Sequence, residues 1–322
     1  MKTLLICKTT YQCKLAVLVL KELEVFNYDI LSIYDTGRYE DSYESIQLRE
    51  NAENSFDFKT SDYIFLFRDM IAVSTVKKMV GYDRVIVSSI DNLAIQLVLS
   101  LNEAAELLTF DDGSANFVQN SMFYIDRQSL LKKIIYQTLG NKYNLKSIKE
   151  RVLAHYSTRE LPNIVSPSRV KVLNFKENQL ETCEVERIKN IVPVVLIGSN
   201  FDELLNTPEK LISIITKHMI GSDCYYIPHP RNINHYRLND SFIMFDSSIT
   251  AEDKIISMLG EYERVKIIGF PSSVFINLSK NKRVEKVIFN SNGFSKSLDA
   301  VTQSIIELVE KDIDEIIYID SV

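Results

Sequence analysis

Short apolar runs alternate with segments of helical periodicity along most of the chain, and this alternation limits the possible folds more than any other feature. Residues 3–7 form the first apolar run, and residues 11–23 then repeat apolar side chains at a helical spacing. Strands that alternate with helices form right-handed βαβ units, which build parallel sheets. The same pattern predicts strands at 30–34, 63–67, 84–87 and 106–110, and helices at 92–101 and from 130 to about 155.

A second series of the same kind begins near residue 192. Prolines and serines interrupt the periodicity at 160–168, and a chain of 322 residues has room for two domains of roughly 150 residues each. The sequence therefore predicts two doubly wound α/β domains, residues 1–165 and 166–322. The second series predicts strands at 192–197, 225–227, 243–245, 264–268 and 287–289, and helices at 207–219, 252–259, 274–278 and 298–309.

Charge and cysteine usage exclude several classes of protein. The formal net charge is −6 without a basic tail, so the phosphate-neutralising surface of a nucleic-acid-binding protein is not expected. The four cysteines contain no CxxC pair, which favours a reducing compartment and argues against a structural zinc site. No run of about 20 apolar residues is present. We expect a cytoplasmic protein.

The segment 225–231 ends a short apolar run with an imidazole between two prolines, followed by a guanidinium. Pro228 and Pro230 restrict the backbone of His229. Histidine changes charge near neutral pH, and Arg231 is a permanent cation, so the pair suits the departure of a phosphate leaving group. A turn in which the histidine only caps a carbonyl is an equally acceptable interpretation of these residues alone.

Polar residues follow three predicted strands of the second series, at 199–202, 229–231 and 269–273. Because the carboxyl ends of neighbouring parallel strands share one edge of a sheet, we expect these segments to converge. These segments contain an acidic residue, an imidazole and a helix start with two serines. Transfer of a sugar from a nucleotide sugar requires groups of these kinds.

The first series contains one comparable feature, the acidic turn Asp111-Asp112-Gly113 after the strand 106–110. It could be a structural turn, since Asp-Gly is a common turn dipeptide. The motifs GxGxxG, GxxxxGK[ST] and GxSxG are absent, which weakens dinucleotide-binding, P-loop and hydrolase interpretations. His155, His218 and His235 have no ligand-like spacing, so no metal site is predicted.

Taken together, these motifs resemble the bacterial sialyltransferases of glycosyltransferase family 52. The resemblance extends from the first strand to about residue 275. It is carried, in order, by Thr109-Phe110-Asp111-Asp112-Gly113-Ser114-Ala115-Asn116, Leu196-Ile197-Gly198-Ser199 with Asp202-Glu203, Pro228-His229-Pro230-Arg231, Glu252-Asp253 and Phe270-Pro271-Ser272-Ser273.

The resemblance implies a GT-B fold, two Rossmann-like domains facing a central cleft, with the acceptor on the N-terminal side and the donor on the C-terminal side. It implies metal-independent, inverting transfer of sialic acid from CMP-sialic acid to a terminal sugar, with galactose favoured, of a capsule or lipooligosaccharide. His229 would be the general acid and Asp202 the general base, with Asp111 and Asp112 as alternative bases. The donor would be bound by Gly198, Pro230, Arg231, Glu252, Ser272 and Ser273.

Three alternatives to these expectations stay open at this point. The donor could be another nucleotide-activated sugar on the same GT-B fold. The protein could also be a non-catalytic glycan-binding or assembly protein of a polysaccharide operon. A lipid-linked acceptor would bring the protein into peripheral contact with the inner face of the cell membrane.

Overall fold

The computed structural model describes residues 1–34, 42–59, 74–126, 128–173, 191–199, 223–229, 242–245, 249–290 and 296–318. The chain divides into two compact units, Met1–Asn174 and Phe175–Val322. The predicted strand at 63–67 and helix at 207–219 lie outside the described residues, as do Asp202, Pro230 and Arg231.

The described part of the first unit contains a seven-stranded sheet in the order β3-β2-β1-β4-β5-β6-β7, and all its strands are parallel. The strands are β1 Thr3–Cys7, β2 Asp29–Tyr34, β3 Asn54–Lys59, β4 Arg84–Val87, β5 Glu106–Phe110, β6 Ala154–Ser157 and β7 Val170–Val172. The α-helices are α1 Thr10–Glu22, α2 Tyr43–Glu50, α3 Leu93–Leu101, α4 Leu130–Thr138 and α5 Leu145–Arg151.

The core of the first unit follows from the apolar strands and from α3. Strand β1 is buried along its whole length, and every residue from Leu93 to Ser100 in α3 is buried as well. Helix α3 begins where Asn92 accepts hydrogen bonds from the backbone N–H groups of Ala94 and Ile95, at 2.9 and 3.3 Å. Capping of α1 has a consequence for the site, because Thr9 accepts from the backbone N–H of Gln12 and so fixes Gln12 in the first turn.

The described part of the second unit contains a six-stranded sheet in the order β10-β9-β8-β11-β12-β13, again with all strands parallel. The strands are β8 Val194–Ile197, β9 Cys224–Ile227, β10 Phe242–Met244, β11 Val265–Gly269, β12 Val284–Asn290 and β13 Glu315–Tyr318. The α-helices are α6 Ala251–Met258, α7 Ser273–Asn277 and α8 Lys296–Val309.

Both sheets have the same topology. In each unit the first strand lies between the second and the fourth, and the order reverses there: between β1 and β4 in the first unit, and between β8 and β11 in the second. This is the Rossmann order, in which ligands bind beyond the carboxyl ends of the strands next to the reversal point. The prediction of two doubly wound α/β domains is therefore confirmed.

The sequence pattern was wrong about residues 130–155, which it predicted to be helical throughout. Two helices, α4 and α5, are separated by a turn at Gly140, and β6 follows them. The pattern also did not predict β3, β7 and β13. The structure divides the chain after Asn174, whereas the sequence placed the boundary after residue 165.

Candidate active site

Three strand ends of the second unit meet at one edge of its sheet. The pairing sets Ile197, the last residue of β8, opposite Ile227 of β9 and opposite Gly269 of β11. The segments that follow these residues contain Ser199, His229 and Ser272. The expected convergence of the polar strand ends is thus confirmed for these three segments, and it falls at the reversal point of the sheet.

Gly198 is the position at which two of these segments come closest. Its backbone N–H donates to the carbonyl of Ile227 at 2.8 Å. A Cβ atom at residue 198 would lie 2.5 Å from the backbone nitrogen of His229 and 2.7 Å from the Ile227 oxygen. Both are backbone atoms, so a side-chain rotation could not relieve the contact. Only glycine allows β8 to run this close to the segment that carries His229.

The backbone around His229 joins a buried strand to the edge of the sheet. Tyr226, Ile227 and Pro228 are buried, and His229 is half-buried. Pro228 fixes its own φ and biases its predecessor towards extended geometry, so β9 continues straight to the histidine. Pro230 and Arg231 lie outside the described residues.

Glu252 and Ser272 approach the same region from the helices that flank β11. Glu252 lies in the first turn of α6, is 5% exposed, and its Oε1 accepts from Nδ2 of Asn277 at 2.8 Å. Ser272 precedes α7, and its buried Oγ has no hydrogen-bond partner among the described residues. Ser273, the first residue of α7, is half-buried. A buried hydroxyl without a partner is destabilising unless a ligand or water supplies one.

In the first unit, Asp112 lies at the reversal point of the sheet. Its Oδ2 accepts from Oγ of Ser89 at 2.9 Å, and its Oδ1 accepts from Nε2 of Gln12. Gln12 and Ser89 are buried, whereas Asp112 is half-buried. The backbone N–H of Lys8 donates to Oε1 of Gln12 at 2.7 Å, which orients the amide so that its NH2 group faces Asp112. Asp112 is thus a partly exposed carboxylate with a fixed orientation.

Asp111, the preceding residue, has a different environment. It is completely buried. Its Oδ1 accepts from Nε2 of His155 at 2.9 Å and from Nδ2 of Asn163 at 3.3 Å. Its Oδ2 accepts from the backbone N–H of Thr158 at 2.7 Å, from the Thr158 hydroxyl at 3.2 Å and from Oγ of Ser157 at 3.0 Å. Five donors occupy this carboxylate, so it fixes the segment after β6 to the end of β5. Of the two acidic candidates, the geometry favours Asp112 for contact with a substrate.

Three residues of these networks were not singled out from the sequence: Gln12, Ser89 and Asn277. Each is a short polar residue that contacts an acidic residue distant in sequence. Cys7, also near Asp112, is fully buried, and burial raises the pKa of its thiol well above the ordinary value. Cys13 and the Asp112 charge raise it further, so Cys7 is a neutral core thiol. His155 is likewise a core residue bound to Asp111 and Thr109.

Within the described residues, no group of three or more histidine, cysteine, aspartate or glutamate side chains is placed to hold a metal ion. No helix in the described part of the chain is long and apolar enough to cross a membrane.

Two parallel Rossmann-like sheets, each with polar residues at its reversal point, define the fold class of the protein as GT-B. Solved structures with the same fold support this. The structure of Arabidopsis thaliana UGT89C1 complexed with UDP-L-rhamnose has a TM-score of 0.58 at 10% identity and covers 98% of this chain and 85% of that chain. The glycotransferase of kitacinnamycin has a TM-score of 0.51 at 9% identity, covering 99% and 86%.

The particular family follows from sequence similarity. Residues 27–290 match the family model of glycosyltransferase family 52, and the chain belongs to this family. The N-acetyllactosaminide α-2,3-sialyltransferase of Haemophilus influenzae is 31% identical over 73% of this chain and 72% of its own length. The CMP-N-acetylneuraminate:β-galactoside α-2,3-sialyltransferase of Pasteurella multocida is 25% identical over 92% of this chain and 94% of its own length. The resemblance inferred from the motifs is confirmed.

Proposed function

We propose that the protein is a sialyltransferase that transfers sialic acid from CMP-sialic acid to the galactose of a β-galactoside with inversion, forming an α2,3 linkage. This proposal rests on the membership of the chain in family 52, together with two relatives named as α-2,3-sialyltransferases. The Pasteurella enzyme aligns with nearly the whole chain, so both units are included in the similarity.

In this mechanism His229 is the general acid. Transfer of sialic acid passes through an oxocarbenium-like state as the bond to the CMP phosphate breaks, and a proton from an imidazolium neutralises the departing phosphate oxygen. The location of His229 at the end of β9, beside Gly198, supports the role, because the backbone that holds the imidazole is packed against β8 without room for adjustment. Arg231 would add a permanent positive charge on the same segment.

The donor is bound by residues at the same edge of the second sheet. The hydroxyls of Ser272 and Ser273 would donate to the phosphate, which gives the buried Oγ of Ser272 a partner. Glu252 would accept hydrogen bonds from the ribose hydroxyls, with Asn277 holding its carboxylate in a fixed orientation. Gly198 and Pro230 would shape the backbone near the cytidine. No metal ion is assigned a role in this scheme.

The base that removes the proton from the acceptor hydroxyl is Asp202 or Asp112. Asp202 has this role in the family resemblance. Asp112 is supported by its place at the reversal point of the first unit, its partial exposure and the two donors that orient it. In either case Asp111 maintains the structure of the acidic turn without contacting substrate.

The test is release of CMP from CMP-sialic acid by the purified protein, with and without lactose as acceptor and with EDTA present. Acceptor-dependent release that persists in EDTA, with an α2,3-linked product, is expected. Absence of release with every galactoside tried, while another nucleotide sugar is consumed, would refute the assignment of the donor.

The role of His229 has a separate test. His229→Ala should lower turnover by about 10² to 10⁴-fold, the usual contribution of general acid catalysis, with a much smaller effect on the affinity for CMP. Lys282→Ala, at an exposed residue before the amino end of β12, is the control and should keep wild-type turnover. Unchanged turnover in His229→Ala would exclude the general-acid role even if the sialyltransferase activity itself is confirmed.

We propose that the acceptor is a lipid-linked galactoside of a capsule or lipooligosaccharide. We therefore propose that the protein works in peripheral contact with the inner face of the cell membrane. Activity on a lipid-linked galactoside in vesicles, compared with the same galactoside free in solution, measures the advantage of this location. Equal activity on the two forms would contradict it.

A further inference from the structure

Helix α4 presents apolar side chains to solvent. Leu130, Leu131 and Ile134 are 76%, 68% and 57% exposed, whereas Tyr136 on the same helix is 3% exposed. At about 100° per residue, the three exposed side chains share one face, and Tyr136 lies on the opposite face. A surface helix ordinarily directs its apolar face into the core and its polar face to water. In α4 the most apolar face is directed outward.

Two further exposed apolar residues precede α4 in the sequence. Met122 and Ile125 are 44% and 45% exposed. We call the α4 surface the set Met122, Ile125, Leu130, Leu131 and Ile134. Single exposed apolar residues are normal, but several of them along one short stretch of chain mark an interaction site.

The segment around the α4 surface is basic, although the chain as a whole is acidic. Residues 122–151 contain seven basic and two acidic residues, a net of +5 within a chain of net −6. Lys142 and Lys146 are 63% and 88% exposed. The basic residues are Arg127, Lys132, Lys133, Lys142, Lys146, Lys149 and Arg151.

Some of these cations have structural partners. The Arg151 guanidinium donates to backbone carbonyls that include those of Leu99 and Asn102, at 3.2 and 2.7 Å. Lys133 pairs with Asp126 at 2.8 Å but keeps 30% of its side chain exposed. Lys142 pairs with Glu103 at 2.6 Å and Lys146 pairs with Glu150 at 4.0 Å, but each lysine side chain is more exposed than that of its acidic partner.

From this combination we infer that the α4 surface docks onto an anionic membrane surface. Leu130, Leu131 and Ile134 enter the boundary between headgroups and acyl chains, and the neighbouring lysines contact anionic headgroups. The charge distribution selects this occupant. A second copy of the chain, packed isologously on the same surface, would bring like charges together, whereas an anionic membrane attracts this segment and repels the acidic remainder. The α4 surface would make the membrane contact proposed above, and only the biological purpose of this contact rests on that proposal.

The test is cosedimentation of the full chain with vesicles of phosphatidylcholine alone or of phosphatidylcholine with phosphatidylglycerol. The wild-type protein should bind the phosphatidylglycerol vesicles, and high salt should weaken the binding. The double variant Leu130→Ser/Leu131→Ser should bind them at least about tenfold more weakly. Because both side chains are exposed, the variant should fold normally, which its melting temperature checks. Phe26→Ser, at an apolar residue that follows α1 and is 80% exposed, is the matched control and should bind as wild type.

Each outcome separates this inference from the proposed chemistry. CMP release with soluble lactose should be unchanged in the double variant, since α4 contributes no residue to the site. Equal vesicle binding by wild type and double variant, or no binding by wild type, would overturn the inference and leave the chemistry intact. A wild-type dimer that the double variant converts to a monomer, without vesicle binding, would show that a second copy occupies the surface instead.

Discussion

Exchanging each aspartate of the acidic turn for asparagine should separate a structural carboxylate from a functional one. In Asp111→Asn an amide NH2 group, which cannot accept hydrogen bonds, replaces one of the two carboxylate oxygens. At least one buried donor of Thr158 or His155 would then lose its acceptor. Five hydrogen bonds to a charged group would also weaken together. One unsatisfied buried donor costs about 1–3 kcal/mol, and breaking a buried charged network costs roughly 3–5 kcal/mol. For a unit of this size, the loss of roughly 3–5 kcal/mol corresponds to a fall in Tm of about 6–20 °C.

Asp112→Asn should have the opposite profile. Its carboxylate is half-buried and has two side-chain donors, Gln12 and Ser89, so the stability cost is about 0.5–1.5 kcal/mol, or a few degrees in Tm. If Asp112 accepts the proton of the acceptor hydroxyl, its loss lowers turnover by about 10²-fold or more.

The assay combines thermal unfolding with CMP release from CMP-sialic acid in the presence of lactose, at a temperature below both midpoints. Folded Asp111→Asn should keep turnover within a few-fold of wild type. A stable Asp111→Asn protein would refute the structural role of its hydrogen bonds. Full turnover in Asp112→Asn would exclude Asp112 as the base and leave Asp202.

Three further predictions follow from named contacts. Gly198→Ala places a Cβ 2.5 Å from the backbone of His229, so the variant should be less stable by about 1–3 kcal/mol and should have strongly reduced turnover. A variant with the melting temperature and the CMP release of wild type would contradict the close approach of the two backbones. Gln12→Glu directs a second carboxylate at Asp112, and a like charge disfavours ionisation of its neighbour. If Asp112 is the base, the acidic limb of the pH–rate profile should therefore move to higher pH. An unchanged profile would exclude a positioning role of Gln12. Burial raises the pKa of Tyr124 to about 12, so the stability that its neutral phenol contributes is present below pH 10 and is lost between about pH 10 and 12. The free energy of unfolding of wild type and of Tyr124→Phe, measured across this pH range, should therefore differ by an amount that changes with pH. A difference that stays constant would contradict the raised pKa.

The sequence predicted the central strands well because both of their faces are buried. Strands β1 and β8 are apolar and buried throughout, so a continuous apolar run was sufficient evidence. The strands that it did not predict, β3, β7 and β13, lie at or near the sheet edges and retain exposed residues. The mixed sequences of β3 and β7 contain too few consecutive apolar residues to be distinguished from loops.

Strand β6 was not predicted for a different physical reason. It is a central strand, yet its sequence is Ala-His-Tyr-Ser, with His155 and Ser157 fully buried. Both polar side chains donate to the Asp111 carboxylate, and this partner compensates for the cost of burying them. Since Asp111 lies more than forty residues earlier in the chain, local hydropathy contains no information about that compensation.

The acidic turn shows how far a motif can indicate function. Side chains of consecutive residues in extended backbone point to opposite sides, so two adjacent aspartates at the end of β5 cannot both face the same neighbours. Asp111 bonds to the segment after β6, while Asp112 bonds to Gln12 in the first turn of α1, which follows β1, and to Ser89, which follows β4. The doublet itself does not indicate which carboxylate has which role. The strand order favours Asp112 for contact with a ligand, because a Rossmann-like sheet binds ligands on the side next to β1 and β4.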